Sequence, residues 1–381
     1  MEVANRNGAG SDRERVLRYR LNRGLRSAAA RITARITFKS PDTPLILERE
    51  QIRKILLVRA TFRIGDSILA TPAVFLFRRN FPRAKIDFIG PPVAKTLLRN
   101  LPVDHHYPIY QRLPKSSWSY ITLLRQIRGT RYDLAIDLSC SKSALAAFIV
   151  GFSGARFRVG VRGRRDQWFN VRLDRPRELN KYKMVPELLR SLGLEAQDLV
   201  PALSLSPGER EAGRLRVEEL FGAEDFSGPV VGLFVGGRKS WGKRWPEENF
   251  RDIATALRGD GARVIVFTGP DERDIRRYFE DELPPDIPVL LERNLGAFAS
   301  LVAACDLFVC CDSGPMHLAA ALGVRTVAIF LFERDCARWA PPPDLARAVS
   351  PLEGRALKDD VLSACRSELG LERARGKAAA R

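Results

Sequence analysis

The feature that most limits how this chain can fold is an alternation that runs through it twice. Short, continuously apolar segments take turns with amphipathic ones. In the first series "KILLVRA", "KIDFIG" and "YDLAIDLS" read as strands, and "SILATPAVFLFRRNFP" reads as one helix after a short polar turn. In the second, "VVGLFVGG", "ARVIVFTG", "DLFVCCDSG" and "VRTVAIFL" read as strands. The helices between them are "PEENFRDIATALRGDG", "DERDIRRYFEDEL", "FASLVAACD" and "PMHLAAALG". A strand that is apolar on both faces must be covered on both, and covering helices between strands make neighbours parallel. The expected class is α/β, as two doubly wound, Rossmann-like domains facing a cleft.

With 381 residues the chain exceeds what one core usually holds. The expected division is an extension over 1–50, an N-terminal domain over 51–206 and a linker region over 207–228. A C-terminal domain over 229–350 and a C-terminal helix with a basic tail over 351–381 follow. The linker is placed where "PALSLSPGEREAGRLRVEELFGAEDFSG" turns polar and is marked by Pro and Gly.

The net charge of +18 informs once it is divided along the chain. Residues 51–206 carry 27 basic against 11 acidic side chains, +16, whereas residues 207–381 carry 25 against 28, −3. A one-sided field predicts an anionic partner for the first half: a phosphorylated substrate, an acidic membrane face or nucleic acid. In the extension, Leu17, Leu21, Leu25, Ala28, Ile32 and Ile36 recur at helical spacing among arginines. That fits a basic helix lying on an anionic membrane, and equally a solvated arm or a helix packed on the domain; a mitochondrial presequence would look similar. No apolar run is long enough to span a bilayer, and residues 1–40 lack the apolar core of a secretory signal. The six cysteines (Cys140, Cys305, Cys310, Cys311, Cys336 and Cys365) show no metal spacing and read as core thiols in a reducing compartment.

Ligands of doubly wound sheets bind outside the carboxyl ends of the strands, so the loops that leave strands select themselves. "RATFRIGDSILATP" offers Gly65 for close approach and Asp66 at a helix entrance, either as an N-cap or as a general base. "VGGRKSWGKRWPEENF" crowds Arg238, Lys239, Lys243 and Arg244 between two glycines and a helix start. The two readings are a solvated basic loop and a phosphate site, and Trp241 with Trp245 shifts the balance to the second, since exposed tryptophans are uncommon unless they pack or bind something. "TGPDERD" places Asp271 and Glu272 where carboxylates accept from ribose hydroxyls or cap a helix. "CCDSGPMHLAAALG" brings Asp312, Ser313 and Gly314 to another helix start, with His317 one turn in as core or as ligand contact. No Asp-x-Asp, no strand-linked G-x-G-x-x-G and no Walker loop occur. A diphosphate bound without metal would need the cations and amides that the second and fourth of these loops carry.

Taken together, "KILLVRATFRIGDSILATPAVFLFRRNFPRAKIDFIG", "YDLAIDLS", "GKRWPEENF" and "CDSGPMHLAAALGVRTVAIF" resemble glycosyltransferase family 9, the lipopolysaccharide heptosyltransferase family, in order, over about residues 52 to 332. The resemblance implies the GT-B fold, with acceptor on the N-terminal domain and nucleotide-sugar on the C-terminal domain. It implies an inverting, metal-independent transfer from a nucleotide-diphospho-sugar, ADP-heptose in this family, to a phosphorylated, lipid-linked acceptor. By position, Asp66 matches the catalytic base, with Gly65 and Arg63 on the acceptor side. Lys243 matches the lysine on the donor phosphates, with Arg244 beside it; Asp271, Asp312, Ser313, Gly314 and His317 fall on the donor side. No cofactor, metal or nucleic acid is implied, and the expected place is the cytoplasm or the inner face of its membrane. Here "ATFRIGD" stands where many members have a Ser-rich turn, and Arg238 and Lys239 are additional cations. The competing readings are a GT-B transferase with another donor or acceptor, and a non-catalytic protein binding anionic lipid or nucleic acid.

Overall fold

The computed structural model describes residues 42–45, 47–48, 50–110, 118–140, 143–163, 166–196, 199–222, 228–237, 243–270, 272–351 and 357–371. Residues 1–41 of the basic extension, Arg238, Lys239, Trp241, Asp271 and residues 372–381 of the tail lie outside them.

The first half runs β1 (Lys54–Val58), α1 (Ile64–Ile68), α2 (Thr71–Asn80), β2 (Lys85–Gly90), α3 (Pro92–Leu98), β3 (His105–Pro108), α4 (Trp118–Thr130), β4 (Leu134–Asp137), α5 (Ala144–Phe152), β5 (Phe157–Val161), β6 (Val171–Leu173) and α6 (Lys181–Arg190). The second runs α7 (Pro207–Phe221), β7 (Val230–Phe234), α8 (Glu247–Gly259), β8 (Arg263–Thr268), α9 (Arg273–Glu282), β9 (Val289–Leu291), α10 (Leu295–Ala303), β10 (Leu307–Cys311), α11 (Gly314–Ala321), β11 (Thr326–Ile329), α12 (Glu333–Trp339), β12 (Arg347–Val349) and α13 (Leu357–Leu369). Each half builds one six-stranded sheet, ordered β3-β2-β1-β4-β5-β6 and β12-β11-β10-β7-β8-β9. Every pairing is parallel. This is the doubly wound, GT-B-like class that the alternation requires. The central strands β4, β7, β10 and β11 are buried at every residue, as strands covered by helices on both faces must be. All the cysteines except Cys336 are buried, and every one is a free thiol.

Two local expectations change. The segment "SILATPAVFLFRRNFP" is two helices, because Pro72 cannot continue a helix from the preceding turn and starts α2 instead. Thr71 sits in the break, its hydroxyl donating to the Ile68 carbonyl at 2.8 Å and accepting from the Ala202 amide at 3.1 Å. The expected linker holds α7, a helix of 15 residues. Its start is a capping box: the Ser206 hydroxyl accepts from the Glu209 amide at 3.3 Å and Glu209 Oε2 accepts from the Ser206 amide at 2.7 Å. Pro207 and Gly208 therefore mark a helix start, and the crossing between halves is the extended segment ahead of Ser206. There the Leu203 amide donates to the Ala321 carbonyl at 2.8 Å.

The halves are packed together. Ile68 and Leu97 of the first half belong to one buried apolar cluster with Val217, Phe298 and Met316 of the second. Arg99, the C-cap of α3, pairs with Glu209 on α7. This contact brings the carboxyl ends of β1 and β4 opposite those of β7 and β10.

Candidate active site

Each sheet changes winding direction between its first and fourth strands, β1 and β4 in one, β7 and β10 in the other. At such a point two loops leave in opposite directions and open a crevice. All the described sequence-predicted site residues follow strands that flank these two crevices.

On the first side the chain leaves β1 through Arg59, which is only 7% exposed. Its Nη1 donates to the Leu138 carbonyl beyond β4, and its Nη2 pairs with Asp66 Oδ1 at 2.9 Å. Asp66 lies in the first turn of α1, whose N-cap is Arg63, with no side-chain cap bond. The carboxylate is thus held by a buried guanidinium and does not act as a helix cap. Thr61 Oγ1, Ser67 Oγ and Arg59 Nε are buried with no partner among the described residues. Buried polar atoms normally have partners, so this side of the crevice carries unused polar capacity among the described residues.

On the second side Lys243 stands between two carboxylates, bonded to Asp312 and 3.4 Å from Asp335 on α12. Burial raises the Asp312 pKa, Lys243 opposes that shift, Asp335 adds to it, and Arg63 lowers it from across the crevice. Arg63 is exposed at the entrance to α1. Ser313 is the N-cap of α11 without a side-chain cap bond, and its buried Oγ has no partner among the described residues. A helix start and an ammonium are the kinds of group that bind phosphate oxygens, and here α11 and Lys243 supply them side by side. Arg244 is turned away from it, paired with Glu247 at 2.7 Å and Asp274 at 3.2 Å. Trp245 is 3% exposed and packs edge-on against Phe250, so it is core and adds nothing to the ligand reading of its loop.

The two sides meet at Gly65 and His317. A side chain at Gly65 would collide with the His317 ring, so only glycine allows the two helices this approach. Gly314 lies likewise against Ile64. His317 is 4% exposed, and its Nδ1 is 2.6 Å from the Tyr182 hydroxyl. Burial pushes its pKa down to about 4, with Asp66 opposing the shift and Lys243 adding to it. The ring is therefore neutral at neutral pH, and it is neither a plain core residue nor a group of the second half alone.

A family model described as glycosyltransferase family 9 (heptosyltransferase) matches residues 120–359. The chain belongs to glycosyltransferase family 9. It is 26% identical over 312 residues to a lipooligosaccharide heptosyltransferase 2 of Haemophilus influenzae, covering 77% of this chain and 88% of that one. In fold it is similar to a family 9 glycosyl transferase of Veillonella parvula, with a TM-score of 0.68 at 19% identity over 84% of this chain and 98% of that one. It is also similar to the E. coli ADP-heptose LPS heptosyltransferase II, with a TM-score of 0.65 at 24% identity over 84% and 99%.

This family 9 enzyme thus holds Asp66, Arg63, Gly65, Lys243, Asp312, Ser313, Gly314 and His317 around one crevice, with Arg244 pointing away. Arg59, Asp335 and Tyr182 are additional to the residues expected from the sequence. Arg59 ends a strand next to the Gly-Asp turn, a signal that was available; Asp335 and Tyr182 sit on helices far along the chain, with no local signal. Glu272 carries more weight than the paired acids suggested. It is 8% exposed, and a side chain at Gly236 would meet its carboxyl carbon at 2.8 Å, which places the carboxylate over the ends of β7 and β8.

Proposed function

We propose that this glycosyltransferase moves heptose from ADP-heptose to a hydroxyl of a phosphorylated, lipopolysaccharide-type acceptor, with inversion at the anomeric carbon and without a metal. The observation that carries the reading is the opposition across one crevice of a pinned carboxylate, Asp66, and a phosphate cradle made by Lys243, Ser313 and the start of α11. The acceptor hydroxyl attacks the anomeric carbon and forms the new C–O bond. Asp66 takes the hydroxyl proton, and the bond to the diphosphate breaks with its electron pair going to ADP. Lys243 and the α11 amides stabilise the charge that gathers on the leaving diphosphate, a role commonly given to metal ions in other enzymes. Glu272 is placed to accept from the hydroxyls of the nucleoside. Heptose and the lipopolysaccharide-type acceptor are supported by the family and by the H. influenzae relative, and ADP by the E. coli enzyme of similar fold. The +16 of residues 51–206 suits an anionic acceptor, and a lipid-linked acceptor would place the reaction at the inner face of the cytoplasmic membrane.

The test is Asp66→Asn with ADP-heptose and a phosphorylated core acceptor. Transfer is expected to fall about 10³-fold while ADP affinity stays within twofold. Transfer near the unmodified rate would remove Asp66 from its role. A chelator is expected to leave the rate unchanged; a loss restored by a divalent cation would overturn the metal-free reading.

A further inference from the structure

The mechanism above leaves unused a buried pair that joins the two halves, Tyr182 on α6 and His317 on α11. Tyr182 is 3% exposed, and its place is set from three directions. Asn180 caps α6 by accepting from the Tyr182 amide at 2.8 Å. The other end of the same Asn180 side chain donates to the carbonyls of Ala340 at 3.0 Å and Ala337 at 3.3 Å, at the end of α12. The rings of Tyr182 and Trp339 flank His317, with centroids 5.3 and 6.1 Å from it. One turn of α6 therefore clasps α11 and α12 of the other half, with His317 at the centre.

The direction of the bond follows from counting protons. Burial, with Cys310 and Asp312 nearby, raises the Tyr182 pKa, so the hydroxyl keeps its proton. Among the described residues His317 Nδ1 is the one side-chain partner of that hydroxyl. If Nδ1 carried the ring proton and donated, the hydroxyl proton would be left buried without an acceptor, which is costly. If the hydroxyl donates, both groups are satisfied and the neutral ring carries its proton on Nε2. The Cδ2–Nε2 edge rests over Gly65, next to Asp66.

We infer that Tyr182 is a positioning residue for transfer: its hydroxyl donates to His317 Nδ1, holds the ring as the Nε2–H tautomer and aims that N–H at the Gly65–Asp66 turn, where the acceptor hydroxyl and the sugar meet. A donor fixed at that place can hydrogen-bond an oxygen of the reacting sugar or acceptor and hold it against Asp66. The inference rests on the reading of this crevice as the site of sugar transfer.

The experiment uses the full chain, labelled with ¹⁵N in histidine. With three histidines in the sequence, their ring nitrogens can be assigned by substitution. In the unmodified protein His317 is expected to show a protonated Nε2 and an unprotonated Nδ1; the reverse pattern overturns the inference. This readout needs no substrate, so it stands or falls separately from the Asp66→Asn test of the reaction itself. Tyr182→Phe is expected to lose the single-tautomer pattern and to lower kcat about tenfold, with the donor KM within twofold. Adding Tyr182→Phe to His317→Ala is expected to cost nothing further, since Tyr182 acts through the ring. An unchanged kcat in Tyr182→Phe, or an undiminished loss in the His317→Ala background, overturns the proposal. If Tyr182→Phe does not fold, the spectrum of the unmodified protein decides.

Discussion

Counted from its own first strand, each sheet runs 3-2-1-4-5-6, so β1 and β7 occupy equivalent places, as do β4 and β10. The two halves nevertheless reverse the charge arrangement at equivalent crevices. In the first, a buried cation, Arg59, holds a carboxylate, Asp66. In the second, two carboxylates, Asp312 and Asp335, hold a cation, Lys243. The scaffold decides where a ligand can lie, because strand ends at a winding reversal leave a crevice whatever residues line it. The residues that follow those ends set the charge of each place. Under the proposed function, one topology used twice would supply two different halves of one reaction.

Removing the charged group on each side should cause two different failures. Asp66→Asn should lose about 10³ in kcat with ADP binding intact. Next in size are the central strands themselves. Leu57 and Leu233, each fourth in its strand and fully buried, should each cost about 2–5 kcal/mol on replacement by Ala, read from urea unfolding. If the halves unfold separately, each variant should move only its own transition; a single shared transition would show that the packing around Ile68 and Leu97 couples them. Lys243→Gln should weaken ADP binding by about 10- to 50-fold by titration calorimetry, the loss of one charge-assisted contact. An unchanged ADP affinity would remove Lys243 from the phosphate site.

A further effect is in acid. Each half holds one histidine, half-buried His106 and buried His317, whose pKa is pushed down to about 4 from 6.5. For His106 the cause is chiefly burial, then the neighbouring charges of His105 and Lys95; for His317 it is again chiefly burial. Each ring binds a proton more readily when the chain is unfolded. Stability present above about pH 6.5 should therefore be lost as pH falls toward 4, by on the order of 1 kcal/mol per pH unit for each ring. His106→Phe should remove the first half's share of that slope and leave that of His317, measured as urea midpoints between pH 7 and 5.

Much of this was legible along the chain. Strands apolar at every position, such as β7 and β10, cannot be surface strands, and the helices between them force the parallel order. The loops that leave β1, β7 and β10 were identifiable for the same reason. The short edge strands β3, β6, β9 and β12 were not, since three or four half-exposed residues carry no periodicity. Along the chain α7 looks like a linker, because Pro207 and Gly208 weigh as turn residues and Ser206 with Glu209 becomes a capping box only once the helix forms. Residue type alone makes Trp245 a ligand contact, and only the packing against Phe250 shows it to be core.

The class, the two sheets, the family and most of the groups around the crevice are legible along the chain, because hydrophobic pattern and loop chemistry are local properties. Which of those groups meet is set by the packing of distant segments. Asp66 is bound to Arg59 and Lys243 to Asp312. Arg244 is spent on Glu247 and Asp274. Tyr182 reaches His317 across 135 residues of chain. Such pairings depend on how one half packs on the other, a relation between surfaces that no stretch of sequence contains.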